Sequence, residues 1–86
     1  MKAAILGNAW TLLFPGRINR KGDWGQCDSK ERTIKVLKAL RGQNRLEIVL
    51  HEMLHAAGWH IDEEFVAEFS RDAAQVLTDL GYTDGE

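Results

Sequence analysis

At 86 residues the chain is one domain, close to the lower size at which an apolar core suffices without staples, so any active site must share its walls with that core. With 44% hydrophobic and 28% charged residues and a formal net charge of −2, the composition is that of a soluble globular protein and carries no electrostatic footprint for nucleic acid. Basic residues lean toward the first half and acidic ones toward the second, and the single cysteine, Cys27, precludes an internal disulfide, which makes the cytoplasm the expected location.

The apolar run from Ala3 to Phe14 is interrupted by Gly7 and Asn8, is followed by no clean small-residue cleavage site, and is too short to span a bilayer. Short apolar runs then alternate with Pro15-Gly16, Lys21-Gly22-Asp23 and Asp28-Ser29-Lys30. These signals predict strands near Trp10 to Phe14, Asp23 to Cys27 and Arg32 to Leu37. The last two form a hairpin around Asp28 to Glu31, which makes a small antiparallel sheet of about three strands. Trp24 and Cys27 are expected to pack this hairpin, and Arg17, Arg20 and Lys21 to form a solvated loop.

From residue 41 onward the period is helical. Leu46, Val49, Leu50, Met53, Leu54 and Ala57 make one stripe, with Gly58 at the expected C-terminal position, so a helix is predicted from Asn44 to Ala57. Val66, Phe69, Ala73, Val76, Leu77 and Leu80 make a second stripe, on a helix from Asp62 to Leu80 ended by Gly81. Asp62 is the N-cap, and Glu63 and Glu64 follow in the first turn, where carboxylates suit the helix dipole. The fold expected is α+β: a β-rich part over 1–40 and an αα-hairpin, turning around Trp59, over 41–86.

All three histidines fall within "HEMLHAAGWH". On a helix His51 and His55, four apart, point their imidazoles toward one place, and Glu52 sits beside it. This is the H-E-x-x-H arrangement in which two histidines hold zinc and the glutamate is general base. With Leu46 at zero on a helical wheel, the pair falls near about 140° and 180°, away from the main apolar stripe. Packing in the core is therefore disfavoured for them, and a chance surface pair is the plain alternative.

A tetrahedral zinc with an open position needs a third protein ligand. His60 follows His51 by nine residues, one short of the metzincin spacing. In an antiparallel helix pair, positions equidistant from the turn face each other, which sets His55 opposite Glu63 and His51 opposite Ala67, with Ser70 and Ala74 continuing a face of small side chains. Glu63 borders the apolar stripe and Glu64 points away from it, so Glu63 is the better third ligand; Glu64 and His60 stay as alternatives. Tyr82 and His60 are the side chains available as oxyanion donors.

The stretches "DWGQCDSKERTIKV", "RLEIVLHEMLHA" and "IDEEFVAEFSRDAAQVLTDLGY", about two thirds of the chain, resemble small H-E-x-x-H proteins frequent in phages and prophages and related to minimal gluzincin-type zinc metallopeptidases. The resemblance implies a zincin-like core, zinc held by His51, His55 and Glu63, Glu52 as base, and a peptide or protein substrate in the cytoplasm of a bacterial host. Such a substrate is expected to lie extended along a sheet edge, first of all the strand from Arg32 to Leu37. Two other readings stand beside the enzyme. One is a non-catalytic zinc module, in which His60 completes four ligands. The other is a nucleic-acid-binding helix-turn-helix, whose second helix begins Asp62-Glu63-Glu64 and so has the wrong charge for phosphates. A homo-oligomer has no signature in the chain.

Overall fold

A computed structural model describes residues 1–18, 23–58 and 60–83. It is α+β: a four-stranded sheet followed by two helices. Strand β1 (Lys2–Ile5) pairs antiparallel with β2 (Asn8–Leu13) through a two-residue turn in which Leu6 and Gly7 both have positive φ, 50° and 81°. That is the mirror-image turn whose twist suits a hairpin. The apolar run near the N-terminus is thus two strands, one of which the sequence reading missed. Leu6 is the reason, because a leucine in the left-handed region lacks the usual Asn-Gly or Gly-Gly signal.

Strands β3 (Gly25–Asp28) and β4 (Thr33–Val36) form the expected hairpin. Its turn is built by the Asp28 carboxylate, whose Oδ1 accepts from the amides of Lys30 (3.0 Å) and Glu31 (3.1 Å). The sheet order is β1-β2-β4-β3, with β4 parallel to β2. Two expectations are corrected here. The sheet is mixed rather than all antiparallel, and the strand within Arg32 to Leu37 lies in its interior, hydrogen-bonded on both sides. Among the described strands the edges are β1 and β3. Arg20 and Lys21 of the expected solvated loop, and Trp59 of the expected helix turn, lie outside the described residues.

Alternation decides which face is covered. Ile34 and Val36 are buried, with Leu12 and Cys27 both in register with Ile34 and Gly25 with Val36, whereas Thr33 and Lys35 point to the other face. Ile5, Trp10, Leu12, Ile34 and Val36 form the core, and helix α1 (Gly42–Ala57) lays Ile48, Val49, Met53, Ala56 and Ala57 on it. Gly58 follows α1 in an extended conformation (φ −174°), so its place after the helix is as expected but the end is not a left-handed glycine cap.

Helix α2 (Glu63–Asp79) is capped at its N-terminus by Asp62, whose Oδ2 accepts from the Phe65 amide at 3.0 Å. It ends in a Schellman arrangement: Gly81 takes φ +99°, and the amides of Tyr82 and Gly81 donate to the carbonyls of Leu77 and Thr78. Among the described elements α2 touches α1 alone. Its fully buried residues are Val66, Ser70 and Ala74, whereas Phe69, Val76 and Leu80 of the expected stripe are each at least half exposed. α1 therefore covers one margin of that stripe, the small-residue face, and leaves the rest open.

No helix of the described residues is long and apolar enough to cross a membrane.

Candidate metal centre

The i, i+4 spacing on α1 and the position of Glu63 one residue after the cap of α2 bring three side chains to one place. His51 Nε2 and His55 Nε2 are 3.2 Å apart. The Glu63 carboxylate closes the triangle, with Oε1 at 3.1 Å from His51 Nε2 and Oε2 at 2.9 Å from His55 Nε2. Three donors on a tetrahedral zinc at 2.0–2.1 Å are about 3.3 Å from one another, so the triangle has nearly the size that the ion requires. Both histidines are largely buried, but Glu63 is 69% exposed on its side chain, which leaves one side of the cluster facing solvent. Donors of this type, two imidazoles and a carboxylate, suit zinc.

The other sequence candidates are placed differently. Glu64 is exposed, and neither it nor His60 belongs to the cluster formed among the described residues. The His60 ring instead lies against Gly58, where a Cβ would come within 2.9 Å of it. Tyr82 is exposed beyond the far end of α2, roughly 24 Å along the helix from Glu63 at 1.5 Å per residue, which removes it as an oxyanion donor.

Glu52 is buried, 8% exposed, although it is charged in type. It packs toward the sheet edge: a Cβ on Gly25 of β3 would stand 2.7 Å from Glu52 Oε2 and 2.7 Å from Ile48 Cγ2. Only a glycine lets the strand approach this closely. Burial, followed by the charges of Glu63 and Asp23, raises the Glu52 carboxyl from its ordinary 4.5 to about 7. Desolvation, with Glu52 and Asp28 nearby, likewise raises the Cys27 thiol to about 11, so Cys27 is a protonated packing residue at neutral pH rather than a nucleophile.

The role of Gly25 escaped the sequence reading. The only signal was a glycine between Trp24 and Gln26 at the start of a strand, and nothing local says which helix it meets.

No family model, no curated protein and no solved structure matches this chain.

Proposed function

We propose that the chain is a zinc-dependent, metallopeptidase-like hydrolase of peptide bonds, with His51, His55 and Glu63 as ligands and Glu52 as general base. The observation that carries this reading is the triangle of three donors from two helices, drawn to the size of a zinc site and open on one side. The resemblance of "HEMLHA" and its flanks to minimal gluzincins of phages and prophages supports it, and a lone half-buried Cys27 accords with a reducing cytoplasm.

A zinc in this site supplies Lewis acidity, acidifying a water and polarising a carbonyl oxygen. The chain's own residues do the rest. Glu52, adjacent to His51 and held against β3, takes the proton of the attacking water and returns it to the leaving amine nitrogen. The substrate adds as an extended strand to the free edge of β3, beside Gly25, since β4 has no free edge.

A structural zinc is the second reading, favoured by the dependence of α2 on α1 alone for its place. Three donors rather than four among the described residues, with His60 apart from them, favour the open, catalytic form.

Native mass spectrometry of protein purified without chelator tests the site. One zinc per chain is expected, lost in His51→Ala and weakened in Glu63→Gln. Glu52→Gln should keep the zinc and lose about a hundredfold or more of peptide hydrolysis. Folded protein that takes up no zinc even when it is added would end the reading; zinc with no hydrolysis of any unfolded protein substrate would leave the structural site.

A further inference from the structure

With Phe65 at zero on a helical wheel of α2, Val76, Phe69, Leu80 and Ala73 fall at about 20°, 40°, 60° and 80°, and the residues buried against α1, Val66, Ser70 and Ala74, at about 100°, 140° and 180°. The apolar arc of this helix is thus twice as wide as the face that α1 covers. Phe65, Phe69, Val76 and Leu80 are each at least half exposed, the two phenylalanine rings stack at 5.7 Å, and a shallow groove of about 380 Å³ runs beside Phe69, Ala73, Val76 and Leu77. From Phe65 to Leu80 the stripe is roughly 22 Å long, about four helical turns. Contiguous apolar surface of this kind marks an interaction site.

The border of the stripe identifies the partner's chemistry. Asp72, Asp79 and Glu68 follow at about −20°, −40° and −60°, all exposed, and the one cation of the helix, Arg71, sits 3.4 Å from Asp72. A second copy paired antiparallel through the same stripe would bring the two acidic borders to the same side of the interface, where like charges repel. We propose that this face of α2 docks an amphipathic helical segment of another protein whose apolar face is flanked by lysine or arginine. The apolar residues fill the stripe between Phe65 and Leu80, and the basic flank lies along Glu68, Asp72 and Asp79. None of these residues belongs to the histidine cluster, so the docking does not depend on the reading of that cluster.

The test uses the full chain and two fluorescent peptides of about 18 residues, an amphipathic leucine–lysine helix and its leucine–glutamate counterpart, followed by anisotropy at low salt. The lysine peptide should bind about tenfold more tightly or better, the sum expected of three exposed ion pairs. Phe69→Asp combined with Val76→Asp should weaken it by a similar factor or more. Glu68→Lys, Asp72→Lys and Asp79→Lys together should reverse the preference toward the glutamate peptide, with far-UV circular dichroism unchanged. Equal binding of the two peptides, or a preference that survives the triple reversal, would overturn the proposal. So would a wild-type dimer in sedimentation that Phe69→Asp with Val76→Asp converts to monomer, since the stripe would then belong to a second copy.

Discussion

Glu52 is the residue at which packing and chemistry meet. Its carboxyl is driven up to about 7 in the folded chain, whereas in the unfolded chain it titrates near its ordinary 4.5. The folded state therefore holds the proton more tightly, and stability present below pH 4.5 is lost as the pH rises to 7 and remains lost above it. Glu52→Gln, which mimics the protonated form, should consequently stabilise metal-free protein at pH 8 by about 1–3 kcal/mol and have almost no effect at pH 4. Urea melts in chelator at the two pH values check this, and an equal effect at both would show that Glu52 is not desolvated. Gly25 is the complementary case. Gly25→Ala forces a methyl to within 2.7 Å of both Glu52 and Ile48, so it should cost about 1–3 kcal/mol by thermal or denaturant melting, as overpacked core sites do.

At the scale of elements, α2 depends on a narrow contact. Val66 is fully buried, and Val66→Ala should cost about 2 kcal/mol. Ser70 is equally buried, but its hydroxyl has no hydrogen-bond partner among the described residues. Ser70→Ala removes an unsatisfied polar group and places a better helix former, so it should be neutral or stabilising by up to about 1 kcal/mol. Denaturant midpoints of the two variants should therefore move in opposite directions or, for Ser70→Ala, not at all; a large loss in Ser70→Ala would mean that the hydroxyl is bonded after all.

For the whole molecule, the sheet and α1 share one core, while α2 is attached by the turn after Gly58, by α1, and by side-chain links such as Gln43 Nε2 donating to Gln75 Oε1 at 3.0 Å. A metal joining His51 and His55 to Glu63 would fasten the near end of that helix. Zinc at about a thousand times its dissociation constant should raise global stability by about 4 kcal/mol. Its removal should reduce amide-exchange protection in α2 while β2 and β4 keep theirs. Loss of protection spread evenly over sheet and helices would contradict a fold in which α2 is the separable part.

Local physics accounts for what the sequence by itself determined. The helix period, the Asp62 cap, the Gly81 end and the Asp28 turn all depend on residues within a few positions of one another, and so does the convergence of His51 and His55. The short helix connection set Glu63 opposite His55, and the helical wheel alone ranked it above Glu64. The tertiary structure alone decided the rest: that β1 exists despite Leu6, that β4 is interior and β3 an edge, that Gly25 lies on Glu52, and that α1 covers only part of the α2 stripe. Strand order and face coverage are set by non-local pairing, in which a strand's hydrophobic pattern names the face it buries but not the neighbour it bonds. A helical stripe likewise shows that an apolar surface exists without saying how much of it another element reaches.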